Sequence, residues 1–427
     1  MDVAPLRQRD FRRLWLAGAI TTTGAQFTAV AVPLQIYGLT GSSADVGLAG
    51  LAGFLPMVLG SLYGGAVADS ADRRLVLLCT NSGIGAASLL LWAQAAAHLR
   101  SVTLLLVLVA LQQACFGANA AAGGAVVPRL VPAADLPAAN TLQSTASWSA
   151  GIAGPLLAGA LLPAVGVRTL YLIDAVALSA TLLAVWRLPP LPPVRTGMAR
   201  ARPGARDRGV LTGLRLLAAN RVLLVTYAAD FSALFLGLPY ALYPQLASEM
   251  RGPDAVGVLY AAIPVGSVLA GLLSGTFARG RRYGSAICGA VCCWGAAIAG
   301  FGLTTSLLPA AGLLALAGAA LTVLSAFRKS ALQSVVTDEL RGRLQGADTV
   351  VAAGGPRLAG LAHGTAASLL GPTWAVTGGG LLVVIVMLAL HLSVPEFRRY
   401  ERPLPSPATP SRPGAPPAAQ IPPGTPV

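Results

Sequence analysis

Apolar residues run along this chain in twelve long blocks, each close to the roughly 20 residues an α-helix needs to cross a bilayer core. The blocks lie at about 14–37, 45–68, 75–97, 102–127, 138–163, 167–188, 221–246, 254–278, 284–305, 308–328, 345–369 and 373–394, with charges, proline and glycine between them. The pattern predicts an all-α integral membrane protein with twelve transmembrane helices in two six-helix bundles. The first block is no cleavable leader, because it is too long and eleven more follow it. Two stretches break the pattern. LPPLPP from Leu188 leads into residues 189–220, which go on to ARARPGARDR as a Pro- and Arg-rich linker, and the tail from Pro403 has ten prolines in 25 residues.

The two halves echo each other. DVGLAGLAG at 45–53 stands opposite AVGVLYAAI at 255–263, and GPLLAG at 154–159 returns as GPRLAG at 355–360. Gly65 stands opposite Gly275 and ADSADRR opposite ARGRRYG, so the second block of each half ends in a Gly-rich helix and a basic turn, and the fifth carries Gly-Pro-x-x-Ala-Gly. Parallel six-helix repeats joined by a linker are a transporter architecture, with the site expected between the halves near the midplane.

Composition supports the membrane reading. Of 427 residues 55% are apolar and only 11% charged, against roughly 25% charged in soluble domains, and mean hydropathy is +0.69. The net charge of +14 raises nucleic acid as a partner, but the basic residues sit between apolar blocks and argue against it. Taking alternate block ends together, 26 of the 30 basic residues lie on one side and only Arg100, Arg168 and Arg251 on the other. The positive-inside rule then puts both termini in the cytoplasm of a multi-pass cell-membrane protein. The expected division is a cytoplasmic N-terminus over 1–13, a first bundle over 14–188, the linker over 189–220, a second bundle over 221–394 and a disordered Pro-rich tail over 395–427.

Enzyme chemistry finds no support. No G-x-x-x-x-G-K-[ST] loop, G-x-S-x-G or H-E-x-x-H occurs, so nucleotide-driven pumping and intramembrane proteolysis are disfavoured and ion gradients are left as the energy source. Cys79, Cys115, Cys288, Cys292 and Cys293 all fall in apolar blocks and read as packing residues; no metal and no cofactor is expected.

Charges inside the spans are few, and each is expensive enough to face protein or water. Asp230 and then Asp174 are the candidates for carrying a proton, since burial favours a carboxyl group's neutral form; permanent pairing is the alternative for each. Asp348, near a membrane edge, reads as a cap. Arg357 is the deep cation, suited to an anionic substrate or to a structural pair, and His363 either titrates or packs. In the fifth span Asn140, Gln143, Ser144, Ser147, Gly151, Gly154 and Ala158 recur at three- and four-residue steps, one small polar face for packing or for lining a cavity. Gln35, Gln112, Gln113 and Tyr240 are further cavity candidates. Gly60/Gly64 and Gly271/Gly275 read as helix-packing pairs.

These features resemble the major facilitator superfamily over nearly the whole chain. The turn Gly65-Ala66-Val67-Ala68-Asp69-Ser70-Ala71-Asp72-Arg73-Arg74 is similar to the superfamily's loop motif G-x-x-x-D-R-x-G-R-R, matching at Gly65, Asp69, Arg73 and Arg74 and departing at Ser70 and Asp72. In the family this turn latches the halves in the outward-open state. The segment 150–159 resembles the antiporter motif g-x-x-x-G-P-x-x-G-G, keeping Gly154 and Pro155 with alanine at 150 and 158. LRQRDFRRLW, VAVPLQI at 30–36 and ALYPQLA with VGVLYAAIP over 241–264 look like siderophore exporters of the drug:proton antiporter group. The resemblance implies a monomeric secondary exporter of a small hydrophobic or catecholate-type molecule, exchanged for protons by alternating access. Broad multidrug efflux, uptake, and a non-transporting receptor on the same scaffold stay open.

Overall fold

The computed structural model describes residues 2–124, 126–192, 220–250, 254–273, 282–335 and 338–400, with only the course of the helices over 329–353. Among these residues the chain is helical, without β-strands. Helix α1 (Arg9–Thr40) ends at Gly41, whose φ of 66° turns the chain into α2 (Ser43–Ser70). Polar N-caps start the next helices by satisfying free amide groups. Ser42 accepts from the Asp45 amide, Asp72 from Arg74 at the start of α3 (Arg73–Ala96), and Ser101 from Leu104 at the start of α4 (Val102–Gly123).

The helical run Leu136–Trp186 bends sharply at Gly166, φ 71°, and so comprises α5 (136–165) and α6 (167–186). A Cβ is poorly tolerated at that φ, and glycine is the residue that supplies it. After the linker, α7 (Arg221–Met250) breaks over 237–239, where Pro239 has no amide to continue the ladder. The rest are α8 (Asp254–Leu272), α9 (Tyr283–Leu303), α10 (Leu307–Val335), α11 (Asp338–Leu370) and α12 (Pro372–Ser393). Nine helical stretches among the described residues are long and apolar enough to cross a membrane, the bent α5–α6 run being one of them. The more polar α1 and α11 complete the twelve.

The halves repeat their neighbours. In the first, α2 packs on α4 and α3 on α4 and α6; in the second, α8 packs on α10 and α9 on α10 and α12. Two pairs make the main junction between the halves, α2 with α11 and α8 with α5, and α2 also meets α7.

The expected linker and tail both need correction at their starts. Residues 193–219 and 401–427 lie outside the described residues, but 189–192 and 395–400 are packed. Leu188 and Leu191 are buried, the Arg73 amide donates to the Leu191 carbonyl at 3.1 Å, and Asp72 Oδ1 accepts from the Leu191 amide. In the second half Phe397 is fully buried and the Gly284 amide donates to the Tyr400 carbonyl at 3.3 Å. Each half thus folds its exit segment back onto the start of its third helix. Apolar residues three apart, 188/191 and 397/400, make this possible in segments otherwise rich in Pro and Arg.

Candidate functional site

The seam between the halves is tight at one end. A Cβ at Gly47 in α2 would stand 2.8 Å from Leu361 Cα and against the Gly360 carbonyl oxygen of α11. A Cβ at Gly257 in α8 would stand 2.9 Å from Gly159 Cα and against the Pro155 carbonyl oxygen of α5. In the sequence repeat, Gly47 corresponds to Gly257 and Gly159 to Gly360. The two crossings are therefore copies of one arrangement, and side-chain-free glycine lets both pairs of backbones touch. Gly364 against Ser43 and Ala44, and the Ser43 Oγ–Gln245 Oε1 hydrogen bond of 2.8 Å, extend the closure to the arginine-poor end.

Toward the arginine-rich end the helices part. Gly50 is 3.9 Å from the Arg357 carbonyl oxygen and Gly151 4.0 Å from Pro264, measured from the Cβ each would carry. Further along, Tyr63 and Val67 of α2, Gln143, Ser147 and Trp148 of α5, and Leu269 and Leu272 of α8 are exposed. The polar face expected on α5 is thus divided, with Gly154 and Ala158 buried in the closed half and Gln143, Ser144 and Ser147 exposed in the open one. Gly154 faces Gln26 of α1, whose Cγ would stand 2.7 Å from a Cβ at that position, and Pro155 is buried at the crossing itself.

Arg357 stands where the α2/α11 seam starts to open. Its Nη2 donates to Met57 Sδ at 3.2 Å, and its Cζ lies 5.7 Å from the centroid of the Phe54 ring. Both partners belong to the other half. A Cβ at Gly354 would lie 3.2 Å from Phe54 Cζ, so the glycine leaves room for that ring.

The two candidate proton carriers have different surroundings. Asp230 in α7 pairs with Arg328 of α10, Oδ2 to Nη1 at 3.5 Å, with both side chains under a tenth exposed. The Arg328 guanidinium also lies 5.7 Å from the centroid of the Tyr227 ring. Asp174 in α6 is held by hydroxyls. Its Oδ2 accepts from Thr28 of α1 at 2.6 Å and from Ser88 of α3 at 2.9 Å, and Gln112 of α4 donates to the Ser88 oxygen at 2.9 Å. Four helices of the first half converge on that one carboxyl group.

The remaining candidates are dispersed. Gln35 exchanges hydrogen bonds with Gln94, accepts from the Tyr171 hydroxyl at 2.8 Å, and borders a pocket of about 370 Å³ with His98 and Arg168 at the arginine-poor end. Gln113 packs over Gly53, and its buried Oε1 has no hydrogen-bond partner among the described residues. Tyr240 joins Tyr243 and Tyr260 in an aromatic cluster beside the α7 break. His363 is buried with Nδ1 3.2 Å from the Ala359 carbonyl, and its Nε2 lies 2.7 Å from where a Gly379 Cβ would stand, beside the Leu236 carbonyl. The loop-motif residues Gly65, Asp69 and Arg73 border a second pocket of about 370 Å³ with Ser61 and Leu62, and Asp69 pairs with Arg73 at 3.8 Å. Arg74 donates to the Trp186 carbonyl. Asp72, a departure from the motif, caps α3 and holds the α6 exit. Gly60 and Gly64 pack on Ala114 and Ala118 as expected of a packing pair, whereas Gly271 has nothing within 4 Å and Gly275 lies outside the described residues.

A family model described as transmembrane secretion effector, a division of the major facilitator superfamily, matches residues 1–409. The chain belongs to this family. It is 31% identical over 408 residues to the enterobactin exporter EntS of Citrobacter koseri, covering 93% of this chain and 94% of that one. It is 30% identical over 403 residues to EntS of Shigella boydii serotype 18, covering 92% and 93%. Among solved structures a point mutant of the nucleoside transporter NupG superposes with a TM-score of 0.72 at 12% identity, over 90% of this chain and all of that one. A bacterial homologue of the iron transporter ferroportin gives 0.68 at 16% identity, over 90% and 98%. These structures share the fold; the sequence relatives carry the family.

Sequence reasoning missed Arg328, Thr28 and Ser88. Arg328 ends an apolar block beside Lys329, so it counts as a loop charge until the fold turns it inward. Isolated hydroxyls in apolar runs carry no periodic signal. The seam itself left a trace: Ser43, Gly47, Gly50, Phe54 and Met57 follow helical steps on α2, as do Gly354, Arg357, Gly360 and Gly364 on α11.

Proposed function

We propose that this membrane protein is a secondary exporter of a small hydrophobic or catecholate-type molecule, driven by proton antiport through alternating access. The observation that carries the reading is the one-sided seam, closed by paired glycine crossings at the arginine-poor end and parted toward the arginine-rich end. With the arginine-rich end in the cytoplasm, this is an inward-facing state that loads substrate from the cell and must reverse the seam to release it outside. The name enterobactin exporter, borne by relatives at about 30% identity over nearly the whole chain, supports a siderophore-like cargo.

For the proton we assign Asp174 first. A proton on Asp230 would break its ion pair with the buried Arg328. A proton on Asp174 breaks no ion pair, and the hydroxyls of Thr28 and Ser88 can reverse their hydrogen bonds to suit either state. Arg357 is the substrate contact, with Gln143 and Ser147 on the open face of α5. The protein acts as a monomer in the cell membrane with both termini in the cytoplasm.

The test is purified protein in liposomes with an imposed pH gradient, recording proton flux on adding enterobactin and then neutral and cationic drugs. Flux with enterobactin alone supports the narrow exporter. Flux with many drugs replaces it by a multidrug antiporter, and silence with all of them overturns export.

A further inference from the structure

We propose that Arg357, Phe54 and Met57 form a receptor for an aromatic anion at the mouth of the α2/α11 crossing, and that the ligand draws the guanidinium away from its contacts across the seam. The geometry stands on its own, while the receptor's use in transport rests on the exporter reading above.

The first argument is the repeat. In GPLLAG and GPRLAG the residue corresponding to Arg357 is Leu156. The α5/α8 crossing brings its backbones together with that leucine, so a cation is not needed to make such a crossing. The residues corresponding to Phe54 and Met57 are Pro264 and Ser267. A cation, an aromatic ring and a thioether are thus gathered at one crossing and absent from its copy.

The second argument is the chemistry of the contacts. Two contacts of Arg357 run across the seam to neutral groups, a thioether sulfur at 3.2 Å and a ring face at 5.7 Å from Cζ. Sulfur is a weak acceptor. A carboxylate or phenolate oxygen gives the guanidinium a charge-assisted and, for a carboxylate, bidentate bond, which is stronger than either. An anion that reaches this point therefore displaces these two contacts. Arg357 is half-buried, neither sealed in the core nor on the rim.

The third argument is shape. Once the guanidinium moves to an anion, the Phe54 face is open to an aromatic ring, and Met57 offers a sulfur–aromatic contact beside it. Gly354 leaves room on α11 for the Phe54 ring itself, since a Cβ there would lie 3.2 Å from Phe54 Cζ. Because the displaced contacts run from α11 to α2, occupancy removes a tie between the halves at the place where the seam must move.

Equilibrium binding to the purified full-length protein tests the receptor with three probes: 2,3-dihydroxybenzoate as an aromatic anion, catechol as a neutral aromatic, and cyclohexanecarboxylate as a non-aromatic anion. We expect 2,3-dihydroxybenzoate to bind about tenfold more tightly than either other probe. Arg357→Gln should bring it down to the catechol level. Phe54→Leu should bring it down to the cyclohexanecarboxylate level while keeping the preference for charge, and Arg357→Lys should keep part of that preference. A wild type without preference, an Arg357→Gln that retains it, or a Phe54→Leu that still favours the aromatic anion overturns the receptor. Phe54→Leu and Arg357→Lys keep the test decisive if Arg357→Gln fails to fold. Enterobactin flux under a pH gradient is measured on the same preparations. Normal wild-type flux with binding ratios unmoved by the variants overturns the receptor and leaves export standing. Shifted ratios without wild-type flux support the receptor and overturn export.

Discussion

The two seam crossings are the same device built twice, and they differ in one respect that matters. Gly47 on Gly360 and Gly257 on Gly159 each bring two backbones into contact, which asks only for the absence of a side chain. Beyond that contact the α5/α8 crossing continues in Pro264, Ser267 and Leu156, while the α2/α11 crossing continues in Phe54, Met57 and Arg357. What the copies share is architecture, and what they do not share is chemistry. The same comparison separates the buried charges. Among the described residues the buried ion pair of Asp230 with Arg328 belongs to the second half, and the hydroxyl-held Asp174 to the first. A repeat used as a control in this way marks the residues that the fold does not require.

The largest effect is expected where the second half carries charge. Arg328→Leu removes the cation beside a carboxylate that is 2% exposed, and breaking a buried pair costs about 3–5 kcal/mol. Thermal unfolding in detergent should show the loss, and the double variant Asp230→Asn/Arg328→Leu should recover most of it. An Arg328→Leu protein as stable as the wild type would remove the structural reading of the pair and return Asp230 to the head of the proton candidates.

The next effect is on coupling rather than stability. Asp174→Asn keeps the size of the side chain and its contact with Thr28 and Ser88, so the protein should insert and fold. Flux driven by a pH gradient should vanish, while substrate exchange without a gradient persists. Gradient-driven flux at the wild-type rate would instead mark Asp174 as a packing group that happens to be a carboxylic acid.

Third come the crossings themselves. Valine at Gly47 or at Gly257 cannot be relieved by a flexible neighbour, because the atoms it meets are backbone. Overpacking of this kind costs about 1–3 kcal/mol, here charged to the closed seam, so transport should fall by about ten- to a hundredfold. A thiol introduced at Ser43 should react faster with an impermeant reagent added from the arginine-poor side. Equal effects at both positions would fit a symmetric seam. A loss at Gly47 alone would show that the crossing carrying Arg357 is the one that limits the cycle.

The sequence made the twelve spans readable because a bilayer imposes length and apolarity on every helix, and the repeat made the seam glycines readable in pairs. Arg357 stood out for the same reason, as a charge inside a span. The neighbours that give these residues meaning were harder to read. Thr28, Ser88 and Asp174 come from α1, α3 and α6, and no local pattern ties residues 146 and 86 positions apart. Arg328 lay at the end of its block, where one further turn of helix decides between loop and core; α10 runs on to Val335. The expectation of a free tail from residue 395 failed for a related reason, since Pro and Arg dominate the segment and two aromatic residues decide its fate.

That tail gives the smallest effects and the finest comparison. The first half holds its exit segment through Leu188 and Leu191 on α3, and the second through Phe397 and Tyr400 on α9. If the clasp is a shared structural device, removing 401–427 should change neither stability nor flux beyond about 0.5 kcal/mol, the ordinary range for surface changes. Removing 395–427 also takes away Phe397, which is fully buried. Burial of such a side chain contributes about 1.5–3 kcal/mol, and the ring contacts of Tyr283 with Tyr400 and of His391 with Phe397 go with it. Phe397→Ala in the otherwise complete chain should therefore reproduce most of the stability lost in the longer deletion. If the shorter deletion is the damaging one, the Pro-rich extension has a role that the repeat does not account for, and the receptor-like reading of this scaffold gains its first support.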